Sequence, residues 1–334
     1  MFNIAIIGPG QIGQTYAQAL KNSKKVNIKA FVGQENFQGR QFAEKYGANY
    51  YTSQDEMYNN ETIDAVIIAT PTFLHAEMVK KAIEHKVNIM CEKPFVLDYS
   101  TTLDLIQKAN AAGVRLMVMQ VMRFWPEYIT LGKMVQCGEI GQVKNVYTHR
   151  ISSHPAWATW HRDPEKSGGG LYDLAIHDID YLYSVFGKVK SVYAAGVQET
   201  TGCWNNISAV IKFKNGVSAV TEVFMDITGE YPLSTAVRIN GTQATVEYIN
   251  KKLAVPGGGD NFVNSFVLYE QGKAPKGLTI PYYNPYAAKV EYFADCVVGG
   301  ELNDFVPCGD ILYVLKVLEA IKKSLETGAV INMD

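Results

Sequence analysis

The sequence predicts an α/β protein in two domains, a parallel sheet covered on both faces by helices and then a domain built on antiparallel strands. Three observations carry that reading. Through the first 120 residues, short β-branched runs alternate with helical patterns. After about residue 121 the runs follow one another directly. A chain of 334 residues also exceeds what one ordinary hydrophobic core accommodates.

Strands of the first domain are expected at 2–7, 26–32, 63–69, 87–90 and 114–119. They are apolar throughout, as strands buried on both faces are. Between them Ile12, Tyr16, Ala19 and Leu20, and later Met78, Val79, Ala82 and Ile83, recur at helical spacing. In the second domain a helix follows Pro126, and the GEIG turn leads to an alternating strand near 143–152. A loop with Trp157 and Trp160 comes next, then a helix within 168–187. Strands are expected at 189–197, 207–213, 217–224, 236–240 and 245–249, with Asn215 and Gly216 forming a hairpin turn. Such direct succession favours antiparallel pairing. Helices near 287–298 and 311–325 close the chain. The domains are therefore drawn as 1–120 and 121–334, with the closing helix free to pack back on the first.

Composition narrows the function classes. With 47% hydrophobic and 19% charged residues and a net charge of −2, there is no basic field for nucleic acid or an anionic membrane. No segment has the unbroken apolar length of a membrane span. Residues 1–7, MFNIAII, lack the charged start and small-residue cleavage site of a secretory leader. Five cysteines, Cys91, Cys137, Cys203, Cys296 and Cys308, are odd in number, far apart and without CxxC spacing, which suits free thiols in a cytoplasmic protein.

GPGQIG at 8–13 matches G-x-G-x-x-G between a predicted strand and a predicted helix, the context that gives the motif meaning. Gly8 permits the tight turn, Gly10 lets a pyrophosphate approach, and Gly13 lets the helix pack on its strand. The amides of Gln11 and Ile12 open the helix whose N-terminus would hold the phosphate charge. Twenty residues beyond Gly13, Gly33 and Gln34 stand where an acid would bind the ribose 2′-hydroxyl of NAD. Losing the acid removes repulsion against a 2′-phosphate, so the sequence leans slightly to NADP. Arg40 is nearby, and Glu35 can still fold back onto the ribose.

Two stretches follow strands at the edge where such sheets bind ligands. IATPTFLH carries Thr70, Pro71 and His75, and CEKPF carries Glu92, Lys93 and Pro94. His75 either bonds locally at a helix start or contacts the ligand. Lys93 is either a surface lysine or, fixed by Pro94, a donor to a substrate oxygen. In GGGLYDLAIHDIDYLYSVFG, residues 168–187, the apolar Leu171, Ala175, Ile179, Leu182 and Phe186 form one helical stripe. Asp173, His177 and Asp180 form another, with Asp173 and His177 four residues apart and within reach of a hydrogen bond.

These stretches together resemble the glucose-fructose oxidoreductase, inositol dehydrogenase and rhizopine-catabolism group, Gfo/Idh/MocA. GPGQIG, IATPTFLH, CEKP, VMRFWPEY, GEIGQV, WHRDPEKSGGGLYDLAIHDIDYL, RINGTQATVEY and SLETGAVIN carry the resemblance over nearly the whole chain. It implies a Rossmann domain followed by an α/β domain whose open, largely antiparallel sheet mediates homo-oligomers, dimers or tetramers. It also implies a catalytic group of Lys93, Asp173 and His177 facing the nicotinamide. His177 would accept an alcohol proton, Asp173 would orient it, and Lys93 would stabilise the alkoxide. Asp180 is read as structural. Arg123, at the domain junction, either reaches cofactor or substrate or forms a structural salt bridge. His154, Trp157 and Trp160 form the candidate substrate loop, where tryptophan either faces a sugar ring or packs in the core. His154, His161 and His177 fit no zinc spacing, so no metal is expected. Cys91 is read as a buried strand residue. The expected activity is hydride transfer between NAD or NADP and a secondary hydroxyl or ketone of a sugar, cyclic polyol or sugar derivative. The alternatives are a glycosidase using transient oxidation and a non-catalytic dinucleotide-binding sensor.

Overall fold

The structure, a computed structural model, describes residues 1–35, 37–154, 159–254 and 260–333. The chain forms two units, Met1–Phe124 with Tyr283–Leu312, and Trp125–Tyr282 with Tyr313–Asp334. In chain order the first stretch holds β1 (Phe2–Ile7), α1 (Gln11–Leu20), β2 (Val26–Val32), α2 (Phe37–Lys45), β3 (Asn49–Tyr51), α3 (Gln54–Asn60), β4 (Ala65–Ile68), α4 (His75–Glu84), β5 (Asn88–Cys91), α5 (Tyr99–Ala111) and β6 (Leu116–Val118). Then come α6 (Pro126–Gln136), β7 (Val143–Ile151), α7 (Pro164–Ser167), α8 (Gly169–Asp173), α9 (Ala175–Phe186), β8 (Val189–Gln198), β9 (Trp204–Phe213), β10 (Ser218–Phe224), β11 (Ser234–Gly241), β12 (Ala244–Ala254), β13 (Asp260–Glu270) and β14 (Lys276–Gly277). The chain closes with α10 (Pro285–Gly299), α11 (Cys308–Thr327) and β15 (Ile331–Asn332).

The first unit is a Rossmann fold. Its six strands run parallel in the order β3-β2-β1-β4-β5-β6. The interior residues Ile4, Ile6, Val66, Ile67, Ile89 and Met90 are fully buried, because helices cover both faces. Strand β3, which the sequence pattern does not signal, is a three-residue edge strand with no buried residue. Helix α10 belongs to this unit and adds Val290, Phe293 and Ala294 to its core. The sequence left the closing helix free to pack back on this unit; α11 begins in it and runs mainly through the second.

The second unit holds a nine-stranded sheet, β14-β13-β12-β11-β7-β10-β9-β8-β15, antiparallel except where β7 and β10 pair in parallel. Register separates two rows across it. Val192, Ile211, Ala219, Val146, Ile239, Val246 and Leu268 stand opposite one another in turn, and all are buried. One residue along, Tyr193, Val210 and Val220 form the start of the opposite, exposed row. The period of two in strand side chains produces both rows. The predicted hairpin closes with Phe213 N–H donating to the Val217 carbonyl at 2.9 Å and Gly216 at φ +92°.

The segment expected to be one helix over 168–187 is two. Helix α8 ends at Asp173 and α9 begins at Ala175, with Leu174 at φ −105°, ψ −48° between them. Each half has its own anchor. Gly168 and Gly169 take left-handed angles, and the Gly170 amide donates to Asn205 Oδ1 at 2.9 Å, seating α8 against β9. Asp178, on α9, pairs with Arg150 of β7 instead. The expected apolar stripe is buried as predicted.

Candidate active site

In the first unit the candidate residues stand at the C-terminal ends of adjacent strands. Gly8 follows β1 at φ +92°, and a Cβ there would lie 2.7 Å from the Ala69 carbonyl oxygen. A Cβ on Gly13 would lie 2.2 Å from the Gly8 oxygen, so the start of α1 could not sit this close to the turn with any side chain there. Around Gly10, by contrast, a Cβ would meet nothing within 4 Å. Helix α1 begins at Gln11 without a side-chain cap, leaving its first amides to whatever lies before it. A tight turn, open space over the second glycine and an uncapped helix start fit a dinucleotide pyrophosphate.

At the end of β2, Gly33 has no room for an acid. A Cβ would lie 2.6 Å from the Tyr50 hydroxyl and 2.8 Å from the Pro9 ring. The Tyr50 hydroxyl donates to the Gln34 carbonyl at 2.6 Å, and the Arg40 guanidinium lies 5.6 Å from the Tyr50 ring centroid. Arg40 also forks onto Glu35 at 2.8 and 2.7 Å, and that bond holds the exposed Glu35 carboxyl below its usual range. The nearby acid and base that the sequence left open are thus paired with each other.

After β4, Thr70 and Pro71 lead into α4. The Thr70 hydroxyl is buried without a hydrogen-bond partner, a costly state that a polar ligand would relieve. The fully packed Gln120, after β6, has both amide atoms in the same condition. Nothing in the sequence reading singled it out, since a lone glutamine carries no pattern. His75 is buried, with Nε2 2.9 Å from the Thr70 carbonyl and Nδ1 3.0 and 3.1 Å from those of Pro94 and Phe95. Of its two expected roles the structure displays the local one: the ring ties the turn after β4 to the turn after β5. Burial lowers its pKa, against the pull of the three carbonyls.

Lys93 is half-buried in the turn after β5 and is joined to Pro94 by a cis peptide. Its amide donates to Glu92 Oε2 at 3.2 Å. Glu92 Oε1 accepts from the Tyr16 hydroxyl and from Lys289 Nζ. Burial alone would raise the Glu92 carboxyl, but Lys289, Tyr16 and Lys93 together hold it below its usual range. Cys91 is fully buried and burial raises its thiol, as a strand residue's would be. Arg123 donates to Asp310 at 2.7 Å and to the Phe305 carbonyl at 2.8 Å, the salt bridge of its two expected roles.

The second unit holds the other candidates. Asp173 and His177 are half-buried on either side of the α8–α9 break, whereas Asp180 is completely buried. The polar stripe is therefore no solvated face. Next to His177, Asp178 is buried against Arg150, which donates to it at 2.8 and 3.3 Å and to the Tyr128 hydroxyl at 3.4 Å. Burial works against the Arg150 charge, yet Asp178 and Tyr128 more than offset it and the pKa is raised. This pair also escaped the sequence reading; its one signal was charge at inward positions of an alternating strand and an apolar helix. Trp160 stacks on the buried His161 at 3.9 Å, and His154 meets His161 edge-on at 6.4 Å. Trp157 lies outside the described residues. Among the described residues no group of three or more His, Cys, Asp or Glu side chains is arranged to hold a metal. No helix of the described residues is long and apolar enough to cross a membrane.

Fold and turn geometry define a dinucleotide-binding α/β protein, and comparison with known proteins agrees. The NAD-binding Rossmann model of the GFO/IDH/MocA oxidoreductase family matches residues 2–120, and the GFO/IDH/MocA C-terminal domain matches 128–247. The chain belongs to the Gfo/Idh/MocA family. Over 189 residues it is 35% identical to a 2,7-anhydro-N-acetylneuraminate hydratase of Mediterraneibacter gnavus, a match covering 55% of this chain and 49% of that protein. The chain thus spans about half the length of that curated relative. An uncharacterized oxidoreductase of Bacillus subtilis, YrbE, is 26% identical over 98% of this chain and 96% of its own. In fold, the aldose-aldose oxidoreductase of Caulobacter crescentus, solved with glycerol, aligns over 99% of both chains with a TM-score of 0.86 and 21% identity.

Proposed function

We propose that the protein is an NAD(P)-dependent oxidoreductase acting on a secondary hydroxyl, or the matching ketone, of a sugar, cyclic polyol or sugar derivative. The observation that carries this reading is the glycine turn, open over Gly10, in the same strand-end edge as the half-buried Lys93. Gly8, Gly10, Gln11, Ile12 and Gly13 would hold the pyrophosphate, and Thr70 and Gln120 offer polar groups in want of a partner. When bound, the dinucleotide supplies a nicotinamide C4 that accepts or returns a hydride. Lys93 donates to the substrate oxygen and stabilises negative charge there. His177 takes the hydroxyl proton at an imidazole nitrogen, and Asp173 orients that ring and favours its charged form. Lys93→Ala and His177→Ala should each lower kcat by about 10²–10⁴-fold with NADH affinity nearly unchanged in the latter. Turnover retained by both variants on a panel of D-glucose, D-xylose and myo-inositol rejects the assignment.

A second reading is favoured by the hydratase name of the 35% identical relative. Adding or removing water is redox-neutral, so in that reading the hydride is returned before product leaves. Phenol release from aryl glycosides without accumulating NADH selects it over the first. The exposed row Tyr193, Val210 and Val220 supports a homo-oligomer formed through the open sheet face. Five unpaired cysteines support a reducing, cytoplasmic setting. Without an acid at Gly33 and with Arg40 beside Tyr50, NADP is the preferred cofactor in this reading.

A further inference from the structure

We propose that Lys289 is a positioning residue for Lys93: its ammonium keeps the Glu92 carboxylate ionised, and that carboxylate fixes the Lys93 backbone amide. The inference rests on the reading of Lys93 as the group that meets the substrate oxygen. Lys289 lies on α10 and is completely buried. A buried ammonium is expensive, and an apolar side chain of similar length would fill the space without that penalty. What the lysine does with its charge is specific. Nζ lies 3.2 Å from Glu92 Oε1 and 3.3 Å from the Met119 carbonyl, with the rings of Tyr16 and Tyr286 at 4.8 and 4.7 Å. Glu92 follows β5, Met119 follows β6 and Tyr16 stands on α1, the helix that opens at the phosphate turn. One cation therefore gathers the Lys93 turn, its neighbour and the dinucleotide helix.

The groups facing Glu92 are Tyr16 from α1, His75 from α4, Lys289 from α10, and Cys91 and Lys93 beside it, while Tyr286, also on α10, faces Tyr16 and Lys289. Lys289 supplies a cation in direct contact with the carboxylate; burial lowers its pKa, and Glu92 works against that loss. Without it, burial drives Glu92 to take up a proton as pH falls. A neutral carboxyl is the weaker acceptor for the Lys93 amide, and the turn loosens.

The test compares wild type, Lys289→Met and the double variant Lys289→Met/Glu92→Gln by NADH fluorescence titration from about pH 6 to about pH 9. Lys289→Met should bind NADH about tenfold more weakly at the acid end and recover toward the alkaline end, as Glu92 regains its charge. The double variant should bind about tenfold more weakly at every pH, because the group that titrates is gone. A Lys289→Met affinity parallel to wild type across the range, whatever its thermal stability, overturns the proposal. If the single variant does not fold, the double variant, which buries no lone charge, decides it: wild-type affinity there overturns the proposal equally. Turnover retained by Lys93→Ala defeats the catalytic reading of Lys93 instead, and leaves the pH dependence of NADH binding standing.

Discussion

Ile67 in the parallel sheet and Val220 in the mixed sheet are both β-branched residues on interior strands, yet Ile67 is fully buried and Val220 is 40% exposed. Parallel strands need crossover helices, and those cover both faces; strands joined by hairpins need none. In the first unit the residues proposed to meet a ligand, Gly8, Thr70 and Lys93, stand at the strand ends. The second unit also has the exposed row of Tyr193, Val210 and Val220 on its sheet. Each unit also buries one ion pair next in sequence to a proposed catalytic residue: Glu92–Lys289 beside Lys93, and Asp178–Arg150 beside His177. Both bind elements distant in the chain, α10 to the β5 turn and α9 to β7.

The comparison breaks most sharply at these pairs. Arg150→Met leaves Asp178 buried without its cation and should cost about 3–5 kcal/mol, read by denaturant unfolding. Arg150→Met/Asp178→Leu should recover most of that loss; no recovery would mean that packing rather than charge was removed. The two rows of the mixed sheet give the next largest contrast. Ile239→Ala, in the buried row, should cost about 2–5 kcal/mol. Val220→Ser, in the exposed row, should change monomer stability by no more than about 0.5 kcal/mol, and any larger effect should be a loss of oligomer mass in sedimentation.

His75 contributes a smaller, pH-dependent effect. Burial lowers its pKa in the folded protein, so below about pH 6.5 the unfolded chain takes up a proton that the folded one resists. Its contribution to stability is therefore complete above that pH and falls as pH drops through it. Tm measured between neutral pH and about pH 5 should decline less steeply in His75→Gln than in wild type. The smallest change is expected at the exposed Glu35–Arg40 pair. Arg40→Ala should weaken NADPH binding more than NADH binding, by about tenfold or less; an equal loss for both would remove Arg40 from the question of cofactor choice.

Much of this was legible without coordinates. The alternation of apolar runs and helical spacing located the strands of the Rossmann sheet, the hairpin at Asn215–Gly216 and the glycine turn after β1, because periodicity and glycine sterics act over a few residues. The edge strand β3 left no apolar run to find, and the α8–α9 break was hidden by an apolar stripe that continues across it. His75 and Arg123 could be read either way from sequence, since a side chain's partner is not written beside it.

By itself, then, the chain determined its local grammar: which segments are strands or helices, where a backbone must turn tightly, and which residue types are able to do proton chemistry. Only the tertiary structure decided that Lys289, 197 residues from Glu92, is its buried partner, that Arg150 meets Asp178, and that Gly33 has no room for an acid. The physical reason is that solvation and charge depend on every group that surrounds a side chain after folding. Those neighbours come from parts of the chain that no local pattern connects.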